Sequence, residues 1–390
     1  MRAVELFTGA GGLGIGVSQA GFEPVAVVER DRYCCDTIRE NQEKSLEPLV
    51  NWPLVQGDVR DFDYGEIGGD VDLVSGGPPC QPFSLGGKHR GYLDTRDMFP
   101  EAIRAVRELK PRAFLFENVK GLTRPAFANY FEYMRLQLAY PDLVKNSDET
   151  WTDHLARLER HHTDGRGNAP AYRIVSRVLN AADYGVPQRR ERVFIVGFRS
   201  DLGIEWSFPA PTHSREALLW DQWRTGKYWE SMKVKRPDDD SAVRWRKSAQ
   251  RLRENPETKP WRTVRQALAD LPDPEFEPEA ASRHLNHKFQ PGARSYPGHT
   301  GSPCDEPAKT LKAGDHGVPG GENMLRRTDG SLRYFSIRES ARLQTFPDDY
   351  LFHGTWTESM RQLGNAVPVK LASVVANSIR EHLERGKSRQ

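Results

Sequence analysis

Glu5-Leu6-Phe7-Thr8-Gly9-Ala10-Gly11-Gly12-Leu13-Gly14-Ile15-Gly16 runs from an apolar strand through closely spaced glycines into a helix pattern lasting to about Ala20. Glycines directly after a strand allow a tight turn and let backbone approach a ligand at a helix N-terminus. The next apolar run, Val25-Ala26-Val27-Val28, ends in Glu29, twenty positions beyond Gly9. That is the offset of an acid binding ribose hydroxyls. A further short run leads to Gln56-Gly57-Asp58-Val59, where Asp58 suits an adenine amino group. Glycine loop and two acids describe a nucleoside-containing cofactor on an α/β sheet. A glycine-rich turn alone would also serve plain helix–strand packing. No Gly-Lys-Ser/Thr follows, which excludes a P-loop, and the strict G-x-G-x-x-G fingerprint is missing, which counts against a nicotinamide.

Val71-Asp72-Leu73-Val74 reads as a buried strand, followed by Gly76-Gly77-Pro78-Pro79-Cys80-Gln81-Pro82-Phe83-Ser84. Three prolines fix φ and remove backbone donors, so this is a stiff loop. It places Cys80 at the carboxyl edge, where open α/β sheets bind ligands. A stiff loop presenting one thiol suggests a nucleophile, although a cysteine beside a turn is, taken alone, more often a small core residue. Ala113-Phe114-Leu115-Phe116 ends in Glu117-Asn118-Val119, bringing a carboxylate to the same edge. Partial desolvation there would raise its pKa; a plain turn acid is the equal alternative. Gln188-Arg189-Arg190-Glu191-Arg192 then enters Val193-Phe194-Ile195-Val196. Alternate strand residues share a face, so Arg190 and Arg192 are expected to point the same way, as donors to a carbonyl or anion.

The 390 residues suit one large and one smaller domain. Mean hydropathy is −0.69, and no apolar run approaches the ~18 residues that span a bilayer. With no signal-peptide pattern, a cytoplasmic protein is expected. Cys34, Cys35, Cys80 and Cys304 form neither a disulfide framework nor a C-x-x-C pair, so no metal site is expected. The net charge of +2 decides nothing about nucleic acid. His154, His161 and His162 read as solvated loop histidines within residues ~141–170, a polar stretch that looks like a surface insertion.

Taken in order, these blocks resemble the cytosine-5 DNA methyltransferase family, and the likeness runs nearly end to end. It continues in Arg338-Glu339-Ser340-Ala341-Arg342-Leu343-Gln344-Thr345-Phe346-Pro347 and in Gln362-Leu363-Gly364-Asn365-Ala366-Val367-Pro368. The resemblance implies S-adenosyl-L-methionine as methyl donor, S-adenosyl-L-homocysteine as product, no metal, and C5 of a flipped-out cytosine in duplex DNA as acceptor. It implies that Cys80 adds to C6, that Glu117 contacts N3 and the 4-amino group, and that Arg192 binds O2 with Arg190 beside it. For the cofactor it implies Phe7, Gly9, Gly11, Gly12, Leu13, Glu29, Asp58, Val59, Pro79, Asn365 and Val367. The family often carries an aromatic after the ribose acid; this chain has Arg30.

The implied fold is α/β: a Rossmann-like methyltransferase with a mostly parallel mixed sheet, plus a smaller irregular target recognition domain. Residues 1–199 would form the catalytic domain, 200–332 the recognition domain, and 333–390 a segment returning to the catalytic domain through a helix from Val369 to about Leu383. Between Val243 and Arg265 lie eight basic and two acidic residues with Trp245 and Trp261 among them, a local +6. Such an excess suits phosphate contacts or a solvated face equally. Arg244, Arg246 and Thr310 are candidate DNA contacts, as are Gln81 and Ser84 beside the cysteine. The expected partners are double-stranded DNA and a cognate restriction endonuclease, with the chain acting as a monomer. An RNA cytosine-5 methyltransferase acting on tRNA, and a silent DNA-binding relative, stay open as alternatives.

Overall fold

Each apolar run that precedes a glycine or an acid in the N-terminal half forms a strand in the computed structural model, which describes residues 1–79, 97–164, 170–238, 240–296, 300–314 and 322–387. Cys80, Gln81 and Ser84 lie outside the described residues. The chain divides into two compact units, Met1–Leu179 with Glu191–Pro209 and Ala372–Gln390, and Asn180–Arg190 with Ala210–Leu371. Residues 333–371, assigned from sequence to the catalytic domain, thus group with the segment read as recognition domain.

The first unit carries β1 (Arg2–Leu6), α1 (Gly12–Gln19), β2 (Glu23–Glu29), α2 (Arg32–Glu43), β3 (Leu54–Gln56), β4 (Leu73–Gly76), α3 (Phe99–Leu109) and β5 (Ala113–Val119). It continues through α4 (Ala128–Ala139), α5 (Trp151–Thr163), β6 (Tyr172–Asn180) and β7 (Glu191–Arg199). The strand order is β3-β2-β1-β4-β5-β7-β6. The first five strands are parallel and β7 runs antiparallel to β5, so the sheet is mixed and mostly parallel, as the sequence implies. The order reverses between β1 and β4, the switch point beside which open α/β sheets bind ligands. Val4, Leu6, Val74, Phe114 and Phe116 pack against Phe99, Ile103 and Val106 of α3 and Met134 and Leu138 of α4. The C-terminal helix (Val369–Lys387) runs one turn beyond the expected Leu383. Its Arg380 donates to the Ala20 carbonyl at the end of α1, and Arg112 donates to the Leu383 carbonyl.

The polar stretch after Pro141 departs from expectation. It contains α5, started by a capping box between Thr150 and Asp153. Trp151, His154, Leu155 and Leu158 fall at helical spacing and face the core beneath α4. His154 is fully buried, hydrogen-bonded to the Tyr133 hydroxyl and the Leu143 carbonyl, and His162 meets the Tyr140 hydroxyl. His154 is thus a packing histidine, because its ring offers an apolar body with two polar atoms that neighbours satisfy, whereas His162 stays exposed on α5, as expected of a solvated residue.

The second unit is built of short pieces: β8 (His213–Ser214), α6 (Arg215–Leu219), α7 (Lys227–Met232), α8 (Asp240–Gln250), β9 (Lys259–Pro260), α9 (Val264–Leu268) and α10 (Pro278–Ala281). Then come β10 (Ser302–Pro303), β11 (Met324–Arg326), β12 (Leu332–Tyr334), α11 (Ile337–Leu343) and α12 (Trp356–Asn365). Leu218, Leu219, Trp223, Tyr228 and Trp229 form a separate small core there. Among the described residues no helix is long and apolar enough to cross a membrane.

Candidate active site

Successive parallel strands deliver the predicted residues to one edge of the first unit. Phe7 and Gly9 follow β1 with φ of 54° and 56°. The left-handed region costs a residue with a Cβ about 1–2 kcal/mol, so Phe7 marks stored strain at this turn. A Cβ built on Gly9 would meet no atom within 4 Å, so the loop opens onto free space. No side chain caps α1 at Gly11, which leaves its first N–H groups to a ligand. Leu13 and Val59 are buried.

Glu29 ends β2. Its Oε2 accepts from Gly9 N at 2.7 Å and its Oε1 from Asp31 N at 2.7 Å, so the acid is held against the glycine turn. Burial is the main influence on it and raises its pKa. Asp58 follows β3 and accepts from the Arg60 amide and guanidinium and from Arg30 at 3.1 Å. Arg60, then its amide and Arg30, hold this carboxyl below the usual range against a weaker effect of burial. Sequence reasoning missed Arg60, although an Asp two residues before an Arg is a local signal for such a turn.

Glu117 lies in β5 opposite Phe194 of β7, while Arg192 lies opposite Val119. The two are therefore diagonal neighbours on one face. Arg192 Nε is 2.9 Å from Glu117 Oε1, with only 13% and 8% of the two side chains exposed. Burial pulls the Arg192 guanidinium down, and Glu117 opposes that. A Cβ on Gly77 would lie 3.4 Å from Glu117 Oε2, and Asn118 Nδ2 donates to the Pro78 carbonyl at 2.9 Å. Met98 N donates to the Pro79 carbonyl at 3.2 Å. The segment leading into Cys80 is thus fixed beside the Glu117–Arg192 pair, with Pro79 exposed at its tip.

Arg190 behaves otherwise. β7 begins at Glu191, so the alternation expected to align Arg190 with Arg192 does not reach it. Arg190 is fully buried in the second unit, donating to the Leu311 carbonyl at 3.0 Å and the Gly364 carbonyl at 2.6 Å. Gln188 beside it binds Leu311 N and the Leu343 carbonyl. Thr310 Oγ1 donates to the Arg189 carbonyl at 2.7 Å. Asn365 is exposed at the end of α12 and Val367 is buried. On α8, Arg244 and Lys247 are exposed, whereas Arg246 pairs with Asp238 at 2.8 Å. Arg265, counted in the basic excess, is held by Asp305 at 2.7 Å.

The family model for C-5 cytosine-specific DNA methylase matches residues 1–140 and 167–381. The chain is 33% identical to a type II methyltransferase, M.PspPI, of Psychrobacter sp. (strain TA137), over 96% of this chain and 78% of that one. It is 32% identical to the type II methyltransferase M.FnuDI of Fusobacterium nucleatum, over 98% and 95%. Among solved structures, the Dnmt2 methyltransferase of S. pombe superposes with a TM-score of 0.55 at 17% identity, covering 99% of each chain. That last likeness concerns the fold; the family match and the two bacterial relatives concern the sequence over nearly its whole length. The chain belongs to the C-5 cytosine-specific DNA methylase family, and it is a DNA (cytosine-5-)-methyltransferase.

Proposed function

We propose that the chain is the modification methyltransferase of a type II restriction-modification system, acting from the cytoplasm as a monomer on duplex DNA, with a cognate endonuclease as its counterpart. The observation that carries the catalytic part is the buried Glu117–Arg192 pair beside the Pro78–Pro79 segment that leads into Cys80. The methyltransferase name of the two bacterial relatives supports the biological part.

The residues at the neighbouring edge fit S-adenosylmethionine. Gly9 opens onto space, Glu29 is held against the glycine turn by two backbone N–H groups, and Arg30 and Arg60 already occupy Asp58. A carboxylate has about four acceptor positions, so Asp58 takes an adenine amino group by releasing Arg30, its more exposed partner. Asn365 and Val367 are proposed as further cofactor-binding residues, on the resemblance to the family. The bound cofactor would supply the methyl group to cytosine C5.

Cytosine C5 is a poor nucleophile inside its aromatic ring. The Cys80 thiolate adds to C6, which turns C5 into an enamine carbon. Glu117 holds a proton at N3 and accepts from the 4-amino group as negative charge gathers on the ring. Arg192 donates to O2 and stabilises that charge in a site that excludes water. Loss of the C5 proton and cleavage of the Cys80–C6 bond restore the ring. Reaching the base requires flipping it out of the duplex, at a cost of a few kcal/mol. The second unit, with Arg244 and Thr310, is proposed to read the flanking bases and hold phosphates, and Gln81 and Ser84 are proposed as further DNA contacts.

Methyl transfer from labelled S-adenosylmethionine to unmethylated genomic DNA, with total tRNA in parallel, tests this reading. Label on DNA cytosine C5 that disappears in Cys80→Ser is expected. Label confined to tRNA would overturn it.

A further inference from the structure

The family model passes over residues 141–166, yet α5 lies within that stretch and packs on the catalytic unit. Trp151 sits against both tyrosines of α4, with ring centroids 6.5 Å from Tyr130 and 5.7 Å from Tyr133. His154 receives the Tyr133 hydroxyl on Nδ1 at 2.8 Å and meets the Leu143 carbonyl through Nε2 at 2.8 Å. A donor must face that carbonyl, so the neutral Nε2–H tautomer satisfies both bonds. Burial lowers the His154 pKa, in keeping with a neutral ring. The inserted helix is therefore pinned to the two tyrosines by ring packing and by hydrogen bonds of fixed direction.

Tyr130 passes this on. Its ring is 7% exposed and its hydroxyl donates to the Asp97 carboxylate. Asp97 also accepts from Phe99 N at 3.1 Å, at the start of α3. The next residue, Met98, donates its amide to the Pro79 carbonyl. Cys80 follows Pro79 directly, so Asp97 lies one residue from the point to which the cysteine's own peptide is tied. A hydroxyl–carboxylate bond among buried rings is stronger than a neutral one and is directional.

We propose that Tyr130, braced by Trp151 and His154 of the inserted helix, is a positioning residue for Cys80, acting through Asp97 and the Met98–Pro79 hydrogen bond. The proposal rests on the reading of Cys80 as nucleophile. Nothing in it requires Tyr130 to touch the base.

The full chain and its Tyr130→Phe variant separate this role from mere packing, because the phenyl ring keeps the buried surface. The readout is the pH profile of Cys80 alkylation by iodoacetamide, mapped by peptide mass, with half-buried Cys304 as internal control. In Tyr130→Phe the Cys80 profile shifts from that of the wild type, slowing alkylation at pH 7 about threefold while Cys304 is unchanged. Turnover on DNA falls about tenfold with KM for DNA within about twofold, as expected when geometry and not binding is lost. Trp151→Ala moves the same quantities less, and the double variant is no worse than Tyr130→Phe, because both act along one path. Asp97→Asn serves as a second variant with the same expected profile.

An unchanged Cys80 profile in both Tyr130→Phe and Asp97→Asn overturns the proposal, whatever turnover does. Shifted profiles in the variants, found beside a wild type that methylates no DNA, would leave the positioning intact and sink the functional reading instead.

Discussion

Replacing Glu5 by Gln should make the protein more stable at alkaline pH. Glu5 lies in the middle of β1, opposite Val27 of β2 and Ser75 of β4, and is 2% exposed. The Ser75 hydroxyl donates to one carboxyl oxygen, and the other has no hydrogen-bond partner among the described residues. Burial therefore dominates and pushes the carboxyl from its ordinary 4.5 up to about 8. Below pH 4.5 folded and unfolded chains both hold the proton, and Glu5 adds no pH dependence. Between 4.5 and about 8 only the folded chain holds it, so stability falls as pH rises, by ~1.4 kcal/mol per pH unit. The accumulated loss by pH 8 is on the order of 4 kcal/mol. Gln keeps the shape and cannot ionise. The measurement is urea unfolding of both proteins at pH 5, 6, 7 and 8 at fixed ionic strength, taking the difference so that every other titration cancels. The advantage of Glu5→Gln should grow steadily with pH. A difference constant to within about 0.5 kcal/mol would show that Glu5 is ionised in the fold and that its environment has been misread.

Glu117→Gln should keep the fold and lower turnover about 10²–10⁴-fold, whereas Arg192→Ala, which strands a buried carboxylate, should also cost about 3–5 kcal/mol of stability; urea midpoints beside single-turnover rates separate the two. Arg190→Met removes two donors to buried carbonyls and should lower stability by about 2–5 kcal/mol. Lost turnover at unchanged stability would return Arg190 to the catalytic role implied by the resemblance. Gly9→Ala should cost about 1–2 kcal/mol in backbone strain, but its methyl would enter the open space of the loop. Calorimetry should then show cofactor binding weakened at least about tenfold. Because burial raises the Glu29 pKa, cofactor affinity should fall as pH drops through it, and Glu29→Gln should abolish that dependence.

Much of the first unit was legible because a buried parallel sheet writes itself as short apolar runs. The strand Glu23–Glu29 ends on the acid the sequence shows, Arg2–Leu6 stops shortly before the glycine loop, and Ala113–Val119 runs two residues past Glu117. α5 was not legible, since its buried stripe is three residues among charges and one of the three is His154. The small strands of the second unit were hidden for another reason. Runs of two or three residues such as Ser302–Pro303 and Met324–Arg326 carry no periodicity to read.

The setting of Arg190 points to something more general about the second unit. Short strands and loops leave many main-chain carbonyls without ladder partners, and buried carbonyls must be paired. Guanidinium and amide groups are suited to this, because each offers several donors in a fixed plane. Arg338 donates to the carbonyls of Leu285, Pro347 and Tyr350, and Gln344 to that of Leu363. Glu339 is buried on Arg333 at 2.6 Å. Arg190 does the same work for Leu311 and Gly364, residues 121 and 174 positions away in the chain. The charged residues Arg338 and Glu339 of the C-terminal blocks thus act as braces, as Arg190 does. A charged motif in a loop-rich unit is therefore first a statement about which carbonyls need donors, and only a group such as Arg192, whose partner is a carboxylate at the sheet edge, earns a catalytic reading.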